Sequence, residues 1–220
     1  MKNSSLILFL CFIGLVTNLT ADYVYFDDSV YSFYPEYTCN SVHYLRPTTD
    51  SMAISYVAVG SYGRVIRLNK FGKNFVDSHT IGNGDWDLTG VSFAPGKDTG
   101  WIVGYKRDDP YLPDRWKGAI WKTPDRGGNW SPQTPPSFPG NIAVPFLDVH
   151  AVNSQDVWIS CGNGYVIRTT DGGGHWRRTV SKPGGEDHYG WLWGIWAPNG
   201  MTAWVCSDQS GFVANKNYLK

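Results

Sequence analysis

Apolar and polar residues alternate along this chain in short runs, and the runs come in groups. Val91-Ser92-Phe93, Trp101-Ile102-Val103 and Ala119-Ile120-Trp121 form one such group. A fourth type of run follows a tryptophan, as in Trp176-Arg177-Arg178-Thr179-Val180. Alternation over a few residues predicts β-strands with one packed side. Ser61-Tyr62-Gly63 and Gly162-Asn163-Gly164 stand between second and third runs, where they predict hairpin turns. No long apolar stripe of helical period follows residue 22, so little helix is expected.

The groups repeat. "LTGVSFAPGKDTGWIVGY", then an insertion, then "GAIWKTPDRGGNW" makes one unit, and "FLDVHAVNSQDVWISCGNGYVIRTTDGGGHW" makes the next. A weaker copy precedes them and a shorter one follows. Val42, Val91, Val149 and Ile195 are equivalent anchors, 49, 58 and 46 residues apart. The units span about 38–85, 86–143, 144–188 and 189–220. Four short antiparallel strands at this spacing are the sequence pattern of propeller blades. The fold class expected is all-β, with about four visible blades.

Two octets punctuate the repeat: "TPDRGGNW" (Thr123, Asp125, Gly127, Trp130) and "TTDGGGHW" (Thr169, Asp171, Gly173, Trp176). They match the Asp-box, [S/T]-x-D-x-G-x-x-W, of bacterial-neuraminidase repeats. With "LTGVSF", "GWIVG" and "GAIWKT" around them, the units resemble the photosystem II stability/assembly factor-like branch of those propellers. The resemblance covers about residues 38–216. It implies that each octet is the turn between strands three and four, with the tryptophan folded between sheets. It also implies an exported protein without a catalytic centre that helps to assemble a membrane complex. Family propellers have about seven blades, whereas four units are visible here. Either "DYVYFDD" (Asp22 to Asp28) supplies an outer strand to unit four and closes a short ring, or the array is incomplete and open, with a tendency to self-associate.

Residues 1–21 differ from the rest. Lys2 and the apolar run from Leu6 to Val16 predict a signal peptide cut near Ala21, and so a secreted or periplasmic protein. Export permits disulfides. Cys161 and Cys206 lie at near-equivalent places in neighbouring units, so they either pair or serve as buried thiols.

Composition narrows function. The formal net charge is zero, which gives no sign of a nucleic-acid partner. No Cys/His cluster has zinc-ligand spacing, and no cofactor is expected. A sialidase would need an arginine triad and its N-terminal Arg-Ile-Pro motif, and only "LRP" at Leu45 to Pro47 is present. Paired loop acids such as Asp85 and Asp87 read as solvated turn residues.

Binding features are more numerous. Arg67, Lys122 and Arg168 each stand four residues after a hairpin glycine, which predicts a ring of basic side chains at one radius. The alternative is a salt bridge made locally by each. The insertion carries Tyr105, Arg107, Tyr111, Arg115 and Trp116, an interface-like mixture. The loop between units three and four carries Tyr189, Trp191 and Trp193; the last two alternate, so at least one is expected in the core. The function expected is a non-enzymatic protein-binding or complex-assembly scaffold with a protein partner, for instance a membrane-complex subunit. A carbohydrate-binding propeller is the alternative, with glycan as ligand, and a glycoside hydrolase is a more distant one.

Overall fold

The computed structural model describes residues 38–46, 54–69, 75–106, 116–180, 190–207 and 212–215. The predicted signal peptide, the segment Asp22 to Asp28, and Arg107, Tyr111, Arg115 and Tyr189 lie outside the described residues.

The described chain is nearly all β. Sheet one holds β1 (Cys39–Tyr44), β2 (Ile54–Gly60), β3 (Arg64–Asn69) and β4 (Phe75–Thr80). Sheet two holds β5 (Trp86–Phe93), β6 (Gly100–Lys106), β7 (Gly118–Thr123) and β8 (Ser131–Gln133). Sheet three holds β9 (Phe146–Ala151), β10 (Val157–Cys161), β11 (Tyr165–Thr169) and β12 (Arg177–Val180). Sheet four has three strands, β13 (Leu192–Asn199), β14 (Thr202–Ser207) and β15 (Phe212–Asn215). Within each sheet the strands follow chain order and pair antiparallel. First strands neighbour one another in the order β1, β5, β9, β13. This is a propeller-like array of blades, and the sheets do not close into a ring.

The predicted hairpins carry their turn chemistry. Tyr62 and Gly63 have φ of 59° and 67°, and Asn163 and Gly164 have 57° and 70°. Two successive positive φ values match the right-handed twist of the strands they join.

Register explains the packing. The anchors face one position each across the first hairpin: Val42 with Ala58, Val91 with Ile102, Val149 with Ile159, Ile195 with Val205. Val91, Val149 and Ile195 point back at the preceding sheet, which we term the rear face. The alternate positions point forward. The intersheet core is therefore layered. Val57 and Val59 of sheet one meet Val91 and Phe93 of sheet two; Trp101 and Ile120 meet Val149 and Ile159; Trp158 and Val166 meet Ile195 and Val205.

One irregularity recurs in all four sheets. A register shift follows Cys39, Leu88, Phe146 and Leu192, so that Asn40, Thr89, Leu147 and Trp193 are each an extra residue on the first strand. Such a β-bulge re-aims the inserted side chain. Asn40 Nδ2 reaches the carbonyl of Leu88 in the next sheet (2.9 Å), and Thr89 Oγ1 reaches that of Phe146 (2.8 Å).

Cys161 and Cys206 do not pair. Both are free thiols, the first buried and the second exposed. Ile159 and Val205 share a register position, so Cys161 lies two residues beyond it and Cys206 only one. An odd difference in a strand puts the two side chains on opposite faces. Cys161 joins the core behind its sheet, as a buried thiol, while Cys206 points forward.

Candidate functional site

The two octets form matching turns between third and fourth strands. Thr123 Oγ1 donates to Asp125 Oδ1 (2.7 Å) and accepts the N–H of Gly127 (3.0 Å). Asp125 accepts the backbone N–H of Asn129 (2.9 Å) and its side-chain amide (2.6 Å). Thr169, Asp171, Gly173 and His175 repeat the pattern: 2.7 Å from hydroxyl to carboxylate, 2.9 Å from Gly173 N–H to hydroxyl, and 2.9 Å from His175 N–H to carboxylate. Gly127 and Gly173 have φ of 86° and 100°, which a side chain rarely tolerates. Burial raises the Asp125 pKa, but the hydrogen bonds from Thr123, Asn129 and Gly128 outweigh it and bring it to about 2. The backbone and side chain of His175, then Thr169, hold Asp171 far below the usual carboxylate range. Both carboxylates are therefore occupied as turn acceptors.

Each turn also seats on the preceding sheet. Trp176 is buried between sheets two and three. Trp130 is half-buried against the core between sheets one and two, and its indole N–H caps the Gly127 carbonyl (3.0 Å).

The basic side chains stand at one register position, as their spacing predicts. Arg67, Lys122 and Arg168 lie opposite Val57, Trp101 and Trp158 and point forward. Each is committed to an internal contact. Arg67 is bidentate on Asp77, with 2.7 Å from Nε to Oδ1. Lys122 Nζ lies 5.5 Å from the Trp101 ring and donates to the carbonyl of Gly172 in the next sheet's turn (2.7 Å). Arg168 is buried, 4.8 Å over Trp158, and binds Asp156 (2.5 Å). These are clasps within and between sheets.

The loop aromatics come together. Trp116 ends the insertion of sheet two, and Trp191 precedes β13. Their ring centroids are 5.3 Å apart, edge to face. Tyr105 extends the row on one side, 5.5 Å from Trp116. Trp193 extends it on the other, stacked on Trp191 at 5.2 Å and 22°. The row is a continuous aromatic seam across sheets two to four. Edge-to-face and offset-stacked pairs are the favoured aromatic geometries. The core expectation for the tryptophan pair needs correction. Leu192 takes the buried position, Trp191 is half-buried, and Trp193 is 56% exposed. Trp193 is the bulge residue of its sheet, so simple alternation misplaces it. That Trp116 meets Trp191 had no sequence signal, since 75 positions separate them.

Away from the seam, Asp148 ties sheets three and four. Its carboxylate accepts the N–H of Val149 (2.8 Å) and of Ile195 in β13 (3.0 Å). Burial raises its pKa to about 6 despite those bonds. His43 is lowered to about 4 by burial and by His150, which face the same side of their sheets. Among the described residues no group of three His, Cys, Asp or Glu could hold a metal ion.

No protein-family model matches the chain, and no curated protein matches it in sequence. Similar solved structures include a YCF48 bound to D1 peptide, at 19% identity and a TM-score of 0.47, covering 78% of this chain and 62% of that one. They also include a GH74 xyloglucanase from Xanthomonas campestris, at 14% identity and a TM-score of 0.58, covering 80% of this chain and 28% of that one. This chain thus spans 62% and 28% of the lengths of the two proteins. The likeness is one of fold, and the fold is propeller-like.

Proposed function

We propose that this protein is an exported, non-enzymatic binding scaffold whose ligand surface is the seam of Tyr105, Trp116, Trp191 and Trp193. The observation that carries the reading is the 5.3 Å contact of Trp116 with Trp191, which joins two loops from different sheets into one surface. Large, stiff aromatic rings bury much area for little lost side-chain freedom, and they dominate protein interfaces. The preferred partner is an extended segment of another protein. Of the three basic residues, Lys122 contributes by tying sheet two, which carries Tyr105 and Trp116, to the turn of sheet three.

A carbohydrate ligand is the second reading. It is favoured by Trp193, whose ring is stacked nearly parallel on Trp191 and more than half exposed, a platform on which a sugar face can lie. Export rests on the predicted signal peptide.

The test is a binding screen against arrayed peptides and glycans with the chain from Asp22 onward. Trp116→Ala is expected to abolish capture of the ligand found, with far-ultraviolet circular dichroism unchanged. A peptide ligand supports the scaffold and a glycan ligand moves the assignment to a lectin. Binding that survives Trp116→Ala and Trp193→Ala together would remove the seam from the reading. Hydrolysis of a glycan in the same assay, abolished by changing one carboxylate, would replace both readings with an enzyme.

A further inference from the structure

Position by position, the four sheets call for the same cover. Trp101, Trp158 and Trp204 occupy one register position, each opposite the residue after the anchor: Ser92, His150 and Trp196. Trp101 and Trp158 are fully buried under the sheet that follows them, while Trp204 is 53% exposed. At the other end, Val42 shares its position with Val91, Val149 and Ile195. Those three are buried by the sheet before them, while Val42 is 58% exposed. Trp196 and Tyr44 are exposed beside Trp204 and Val42 respectively. Among the described residues nothing covers the front of sheet four or the rear of sheet one, and the two are the halves of one junction, of the kind the chain makes three times internally.

We propose that a second copy of this chain supplies the missing half at each end. The front of sheet four in one copy packs on the rear of sheet one in the other. The same contact, made twice, closes a ring of eight sheets. The halves are complementary in polarity, front to rear, so the new contact continues the internal series. A head-to-tail contact closes when its rotation adds up to a full turn, and eight blades lie within the range of about four to eight that propellers adopt. Trp196 and Trp204 on one side, with Val42 and Tyr44 on the other, make an apolar centre for the contact. Arg64 stands beside it, at the rear position of Ala119 and Tyr165, with its guanidinium held by Ser78 Oγ (3.3 Å).

The thiols report on this geometry. Cys39 holds the rear position taken by Leu88, Phe146 and Leu192 in the other sheets, and Cys206 holds the forward position opposite Gly194. In the internal junctions the equivalents of these positions share a core: Val59 with Leu88, and Val103 with Phe146. A second copy thus brings its Cys39 to the Cys206 of the first, and both thiols are free and exposed.

The experiment uses the full chain carrying Cys11→Ser, with sedimentation equilibrium and a short bis-maleimide as thiol cross-linker. The expected mass is that of two chains, and Trp204→Asp is expected to halve it. Should that variant lose its fold, cross-linking decides. A mixture of Cys39→Ser and Cys206→Ser proteins is expected to give a covalent dimer, and neither protein alone is expected to do so. Three results would overturn the proposal: a wild-type chain that stays single at its highest soluble concentration, an open series of ever larger masses, or cross-linking by Cys39→Ser protein alone, which would mean like faces meeting. Mass is read without ligand, so this outcome is independent of the seam.

Discussion

Sheet three keeps its second-strand tryptophan dry, while sheet four, built to the same register, holds its own in water. Trp158 is fully buried and Trp204 is 53% exposed, though each stands opposite the residue after its anchor. The difference is not in the strand but in what lies in front of it. In a stacked array each repeat writes half of a core, and the neighbour writes the other half.

The largest effect should come from the covered side. Trp158→Ala removes the centre of the core between sheets three and four and should cost about 3–5 kcal/mol, read as the shift in denaturant midpoint. The same change at Trp204 should leave the stability of a single chain nearly untouched. Equal losses at the two positions would mean that Trp204 has a cover within its own chain.

Next come the octet turns, which sheets two and three share. Thr169→Val strips the buried N–H of Gly173 of its acceptor and should cost about 1–3 kcal/mol by chemical denaturation. Thr123→Val should match it, since the two networks agree to within about a tenth of an ångström. A marked inequality would show that one turn finds its support elsewhere.

A smaller and pH-dependent effect belongs to Asp148. Its folded pKa, about 6, lies above the ordinary carboxylate value of about 4. The folded protein therefore holds a proton there that the unfolded chain has already released. Its contribution is full below about pH 4 and is lost as pH rises through about 6. Asp148→Asn should flatten the stability profile across that window, measured by denaturation at successive pH values. Asp125 and Asp171 act in the opposite sense, since their folded pKa values are depressed. Their contribution is present above about pH 4 and is lost as pH falls further. The smallest effect expected is that of Cys206→Ser on a single chain, within about 0.5 kcal/mol, because Cys206 is exposed and bridges nothing. Cys161→Ser, in the core, should cost more.

Much of this architecture was legible because strands and turns are local. The anchors Val91, Val149 and Ile195, the turns at Tyr62-Gly63 and Asn163-Gly164, and the octets are patterns of a few residues, each fixed by one physical need. Their alignment was enough to give the order of the sheets. The failures share another cause. Alternation expects at least one of Trp191 and Trp193 in the core, but an inserted residue shifts the parity of β13. Cys161 and Cys206 were aligned one position apart, and one position reverses a face. The seam depends on where two loops land after the sheets have stacked, which no local pattern records. Arg67, Lys122 and Arg168 were correctly placed at one position. Their partners Asp77, Gly172 and Asp156 lie 10, 50 and 12 residues away, and only the fold selects them.

The bulge shared by the four first strands has a consequence for how such a protein can change. Asn40, Thr89, Leu147 and Trp193 occupy the inserted position, and the set is amide, hydroxyl, aliphatic and indole. The position before it is narrower, being Cys39, Leu88, Phe146 and Leu192. Asn40 and Thr89 spend that slot on a carbonyl of the next sheet and Leu147 spends it in the interior, whereas in the fourth repeat the slot turns its tryptophan to solvent, where mutation can trial new chemistry while the sheets are preserved.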